Sequence, residues 1–252
     1  MSPYGREVLV IGAIDHGEAD RIIQVLSRRG RASFFAPAAR KSQRRFAGAL
    51  EPFTTIEIEI HAGRRAGLPT LTSASVTRSR VSIRAELERI ALASYVAELS
   101  AAVAPDEDSA DELYELAAAA LDRIDDLETP VSLATRRSFE IRLLGVLGYE
   151  PNLERCAEAN CALEETSYLD LSRGGAFCAA HRGPGRAIGP VTLAWLRQAK
   201  VGRGDPLDEL AGQSSEAAIR ASSKLGAPME AFLSQLLGRP LRSSSLLATL
   251  SL

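Results

Sequence analysis

The chain reads as an α+β protein: a small N-terminal β-barrel followed by a helical domain with a short Cys/His insert. Three observations lead there. Apolar residues follow a period of two up to about Thr77 and a helical period from Ser82. Turn signals cut the first stretch into about five short strands. Three cysteines and a histidine crowd into residues 156–181.

The strands come first. Val8 to Ile14 and Arg21 to Leu26 are rich in Val and Ile and flank the turn-like Asp15-His16-Gly17. Gly30 precedes a third run, Ala32 to Ala36. The clearest alternation is Thr55 to His61, with Ile56, Ile58 and Ile60 on one face and Glu57, Glu59 and His61 on the other. Leu68 to Thr77 supplies a Thr/Val-rich fifth strand. An OB-fold or an SH3-like barrel would satisfy this pattern equally. The sequence therefore predicts a barrel domain over 1–80 and a helical domain over 81–252.

In the second part Ile83, Leu87 and Ile90 take helical spacing until Ala104-Pro105-Asp106. Ser109 and Glu112 have the spacing of a capping box for a helix reaching about Asp126. Thr129-Pro130 opens another helix through Leu147, with Gly148 as its C-terminal cap. Pro190 to Lys200 and Ala217 to Leu237 read as helices, and 202–215 as a loop.

The net charge of −2 conceals segregation. Residues 1–85 carry +7, residues 86–128 carry −11 and the remainder +2. A basic block of this kind suits a polyanion, whereas the overall balance excludes a protein that coats nucleic acid over its whole surface. The acidic run 106–128 suits a solvated helix face or a docking surface. Cations concentrate at Arg28, Arg29, Arg31, Arg40, Lys41, Arg44, Arg45, Arg64 and Arg65, interleaved with Phe34, Phe35, Phe46 and Phe53. Single-stranded nucleic acid needs such cations for its phosphates and flat rings for unstacked bases; the nine cations are the candidate DNA-binding set, and at least two of the four rings are expected in the barrel core. No apolar run approaches the roughly 18 residues of a membrane span, and no signal peptide is legible, so the expected location is cytoplasmic and nucleoid-associated.

Cys156 and Cys161 form C-x4-C, and Cys178 and His181 form C-x2-H. Between them Tyr168 to Leu171 and Ala176 to Cys178 read as a hairpin about Arg173-Gly174-Gly175. Two chelating turns on a hairpin are the layout of a zinc ribbon, with all four positions filled, hence structural zinc and not a catalytic one. No Walker loop, G-x-S-x-G, H-E-x-x-H or glycine fingerprint occurs. The sequence thus predicts no enzyme; the alternatives are an OB-fold and zinc-containing enzyme acting on nucleic acid, or a zinc-ribbon adaptor that binds only protein.

Three stretches carry a resemblance. Gly17 to Ile23, with Gly30, Ala38 to Ser42 and Phe46 to Phe53, resembles the N-terminal domain of RecO proteins. Arg137 to Leu144, ending in Leu147-Gly148-Tyr149, resembles their central helical region, and Phe232 to Ser243 their C-terminal helix. The resemblance implies an N-terminal OB-fold and a recombination mediator. Such a protein binds single- and double-stranded DNA, anneals strands, works with RecR, engages the C-terminal tail of the single-strand-binding protein SSB and helps load the RecA recombinase. For that acidic, aromatic-ended tail, Arg136, Arg137 and Arg142, beside Phe139, Leu143 and Leu147, are the candidate cations. The family's zinc pattern is two C-x2-C pairs, from which this chain departs at its first spacing and at His181.

Overall fold

The computed structural model describes residues 7–65, 67–106, 109–128, 130–201 and 215–252. Strands β1 (Glu7–His16), β2 (Asp20–Ser27), β3 (Gly30–Ala36), β4 (Thr55–Arg65) and β5 (Leu68–Arg78) close into a barrel in the order β1-β2-β3-β5-β4. Pairing is antiparallel except where β3 meets β5. A single helical turn, α1 (Gln43–Phe46), interrupts the β3–β4 connection and packs against β5. Inserting β5 between β3 and β4 makes this an OB-type barrel and not a simple meander.

The alternation read in β4 is realised: Ile56 and Ile58 are buried in the barrel and Ile60 half-buried, while Glu57, Glu59 and His61 are exposed. Val8, Val10, Ile23, Val25, Phe34 and Leu71 complete most of that interior. The register pair Leu9 and Leu26 is also fully buried, although it faces away from Val8, Val10 and Val25. Helices α2 (Leu87–Val103) and α3 (Asp111–Asp125) lie against β1 and β2 and supply that cover.

This packing groups the chain into two compact units, residues 1–130 with 241–247, and 131–240 with 248–252. The helical pair α2–α3 therefore folds with the barrel. In the second unit α4 (Leu133–Val146) is buried on nearly every side. Strands β6 (Ser167–Asp170), β7 (Gly175–Phe177) and β8 (Arg186–Ile188) form a small sheet in the order β7-β6-β8. Helices α5 (Pro190–Val201), α6 (Ser215–Lys224) and α7 (Gly226–Leu237) follow. Last comes α8 (Ser243–Thr249).

Two helix starts differ from expectation. The α3 N-cap is Ala110 with no side-chain cap, because Ser109 turns its hydroxyl to Asp111 instead of Glu112's amide. The α4 cap is Ser132, which accepts the Thr135 N–H, three residues beyond the expected Thr129-Pro130. Gly148 does take the left-handed φ of +79° just past α4. The stretch read as one helix from Ala217 is two, α6 and α7. The expected loop at 202–215 falls, but for Ser215, outside the described residues.

Candidate metal centre and nucleic-acid interface

The hairpin β6–β7 turns through Gly174 at φ +91° and brings Cys178 and His181 back to the loop that holds Cys156 and Cys161. Gly175 permits this docking: a Cβ there would sit 2.2 Å from the Asn152 carbonyl oxygen, and its φ is +146°. The Ala176 N–H donates to that same carbonyl. In the first chelating loop the Asn160 N–H closes onto the Cys156 carbonyl, and the Cys156 N–H onto that of Cys161. The longer x4 spacing is absorbed by Asn160, whose φ of 53° lies in the left-handed region that asparagine tolerates.

The four ligand atoms lie within 4.8 Å of one another. Cys161 Sγ is 3.5 Å from Cys178 Sγ, and His181 Nδ1 is 3.2 Å from Cys178 Sγ and 3.7 Å from Cys156 Sγ. A tetrahedron with metal–sulfur bonds of about 2.3 Å has edges of about 3.8 Å, so the set fits one metal ion. Burial raises the Cys156 thiol, but backbone N–H groups of Ala159, Cys178 and Glu158 outweigh it and hold the pKa at about 6. Burial likewise raises Cys178, but backbone N–H donation from His181 and Ala180 together with the side-chain hydrogen bonds to Cys161 and His181 outweighs it, so this thiol too is lowered. Cys161 is pushed up to about 11, chiefly by its thiol's hydrogen bond to Cys178. Thiols held low by preset amides are ready to bind metal as thiolates.

One residue here carried no sequence signal. Arg173 lays its guanidinium 4.0 Å over the Phe177 ring, pairs with Glu158 in the first loop and donates to the His181 carbonyl in the second. It clasps the two chelating turns together, and only their spatial neighbourhood reveals it.

The candidate DNA cations separate into two sets. Arg40 and Lys41 lie between β3 and α1, Arg44 lies in α1, and Arg65 lies at the β4–β5 tip. Because β2 and β4 both run antiparallel to β1, the β4–β5 tip lies at the same end of the barrel as the β2–β3 turn, and the β3–α1 segment lies at the other. Lys41, Arg44 and Arg65 are exposed, and no described residue forms an ion pair with them. Arg40 is exposed, with Asp15 at 3.6 Å. A groove of about 540 Å³ opens there, lined by Arg21, Arg40, Ser42, Phe46, Gly48 and Glu51. Arg45 is engaged within its own loop, which it locks by donating to the Pro37 carbonyl and Ser42 Oγ and by stacking on Phe46. The Arg64 side chain is outside the described residues.

Arg28, Arg29 and Arg31 sit at the β2–β3 turn, the far end of a strand roughly 20 Å long. Arg29 is exposed with no ion pair among the described residues, whereas Arg28 pairs with Asp111 and Glu115, and Arg31 with Asp106. Arg78 and the buried Arg80 share Asp122. Much of the acidic block thus faces the basic block inside one unit, while Leu113, Tyr114, Ala117, Leu121 and Ile124 bury the other face of α3. Exposed pairs of this kind contribute only about 0–1 kcal/mol each.

At least two of the four rings are expected in the barrel core, and the structure places all of them out of reach. Phe34, Phe35, Phe46 and Phe53 are all buried, so none offers a face to a base. The arginines of α4 differ from expectation. Arg136 and Arg137 are buried and both pair with Glu140, at 2.8 and 2.6 Å, and Arg136 further donates to the Leu252 carbonyl. These two are therefore not surface cations: ion pairing at i+4 and i+3 satisfies them inside the helical core. Arg142 is half-buried and donates to the Ala199 carbonyl.

Barrel, helices and Cys3His cluster together define an OB-barrel protein with an insert whose four ligand atoms are close enough to hold a metal ion. Comparison with known proteins makes this specific. Residues 1–80 match the family described as Recombination protein O N terminal, and residues 84–245 match Recombination protein O C terminal. The DNA repair protein RecO of Pelobacter propionicus is 37% identical over 226 residues, 88% of this chain and 91% of that one. Its counterpart in Anaeromyxobacter sp. strain K is 38% identical over 84% of this chain and 87% of the relative. That of Myxococcus xanthus is 32% identical over the full length of both. The chain belongs to the RecO family of DNA repair proteins.

Proposed function

We propose that this protein is a non-catalytic recombination mediator. It binds single- and double-stranded DNA, anneals complementary strands and, with RecR, helps load RecA on SSB-coated DNA. The observation that carries this reading is the barrel end where Lys41 and Arg44 are exposed with no described acid paired to them. Cations placed this way attract phosphates, and with Phe34, Phe35, Phe46 and Phe53 in the core the contact runs through the backbone and not through base stacking. In this reading Cys156, Cys161, Cys178 and His181 hold one zinc ion, which supplies a structural cross-link. No described helix is long and apolar enough to cross a membrane.

The test is strand annealing on SSB-coated oligonucleotides, with and without RecR, together with DNA affinity across a salt series. Lys41→Glu with Arg44→Glu should weaken binding to all sequences alike and flatten the salt slope, because each lost phosphate contact removes about 0.7 released counterions on single strands. Unchanged affinity in this variant would place the interface elsewhere. Magnesium-dependent cleavage of the oligonucleotides would replace the reading with an enzymatic one.

For the acidic tail of SSB, Arg142 is the cation we retain from the α4 set, since Arg136 and Arg137 are committed to Glu140. Arg142→Ala should weaken tail-peptide binding in isothermal titration while circular dichroism stays unchanged. Equal affinity in this variant would exclude α4 from that contact.

A further inference from the structure

The two ends of the barrel differ in one respect: at the Lys41–Arg44 end the exposed cations are largely open, whereas at the β2–β3 turn carboxylates meet them. Resting on the reading of the barrel as DNA-binding, we propose that the β2–β3 turn is a second phosphate-binding station. The carboxylates of Asp106, Asp111 and Glu115 fill it in the free protein, and a DNA strand displaces them.

Three features of the turn support exchange. First, all of these side chains are reachable from solvent: Arg28 is 47% and Arg31 45% exposed, and each of the three carboxylates is more exposed still. Arg80 is the contrast, at 2% exposure on Asp122 and hydrogen-bonded to the Phe53 carbonyl and Thr55, where nothing outside can compete. Second, the ion pairs are not what holds the α2–α3 linker against the turn. The Arg31 N–H donates to the Pro105 carbonyl at 3.1 Å, and the Ala110 N–H to the Arg28 carbonyl at 2.8 Å. The carboxylates can therefore swing away while the backbone stays. Third, Arg28 is held in position by more than its acids. Its guanidinium lies 4.8 Å over the Tyr114 ring, and the Tyr114 hydroxyl is fixed by Glu7 at 3.0 Å. The cation remains aimed when the acids leave.

The chemistry favours a phosphodiester backbone as the incoming anion. Exposed side-chain pairs gain little from each other. A nucleic-acid strand that replaces them releases condensed counterions, so the exchange runs toward DNA at low salt and back toward the acids as salt rises. The acids also set a threshold, because a short or weakly charged anion cannot engage both barrel ends at once.

The experiment measures binding of a fluorescein-labelled oligo(dT) strand by anisotropy over a salt series. Asp111→Asn with Glu115→Gln should tighten binding several-fold at low salt and steepen the salt slope. The control, Glu88→Gln with Glu112→Gln, makes the same change in net charge at exposed acids with no ion pair among the described residues; it should leave the slope unchanged. Arg28→Ala should weaken binding at low salt and should abolish the gain in the Asp111/Glu115 variant. Binding by the parent protein with no gain in that variant, or an equal gain in the control, overturns the proposal and leaves the DNA-binding reading standing. A parent protein that fails to bind the strand at low salt overturns both.

Discussion

Glu140 is fully buried and shared by two arginines that are themselves nearly so, while Arg136 also donates to the Leu252 carbonyl and Arg137 lies 3.6 Å from Glu230. Removing the carboxylate takes from both buried cations the anion at their centre and leaves Arg137 only the exposed Glu230 at 3.6 Å. Breaking a buried pair in this way costs about 3–5 kcal/mol. Glu140→Ala should therefore lower the urea midpoint sharply, and a loss below about 1 kcal/mol, the size of an ordinary substitution, would contradict the triad's role. The sequence presents Arg136, Arg137 and Arg142 as one basic strip, yet the fold buries two and leaves the third half-buried. Arg44 and Arg45 are a similar case: adjacent in sequence, one exposed to solvent and the other tied to Pro37 and Ser42. Residue type gives the charge; only the surroundings decide whether it is already spent on a neighbour.

The insert is the element where sequence and structure agree most closely. Its ligand spacing, the hairpin and the glycine turn were all legible, because chelating loops are local and short. Its own apolar support is thin, chiefly Phe177 with the half-buried Leu163 and Tyr168 around Cys156 and Cys178. With so little core, the free energy of holding a metal becomes the folding free energy of the hairpin. Elemental analysis of the purified protein should find one zinc per chain, and Cys178→Ser should release it and lower thermal stability. A protein that contains no stoichiometric zinc, or a variant that keeps its melting temperature, would remove the metal from the account. Arg173 was not legible, since nothing in the spacing of an arginine announces that it will bridge Glu158 and the His181 carbonyl. The caps show the same limit: Ser109 and Glu112 have the right spacing, but Ser109 bonds Asp111, and α4 is capped by Ser132.

At the scale of the molecule, each compact unit is built around its own buried residues, and the candidate DNA cations all belong to the unit that contains the barrel. The Cys178→Ser variant should therefore keep its affinity for single-stranded DNA even as the hairpin loosens. Loss of binding in an otherwise folded variant would extend the DNA surface beyond the barrel. The sequence by itself determined the five barrel strands, the alternation of β4 and the Cys/His cluster, because period-two burial and short chelate loops are written in neighbouring residues. It also determined the charge of each block. Only the tertiary structure decided what those charges meet. Asp111 and Glu115 of α3 fall opposite an arginine more than eighty residues away, Phe46 and Phe53 turn inward, and α2 and α3 cover the outer face at Leu9 and Leu26. Pairings across such separations depend on how the closed barrel presents its turns to the helices, and no local pattern encodes that.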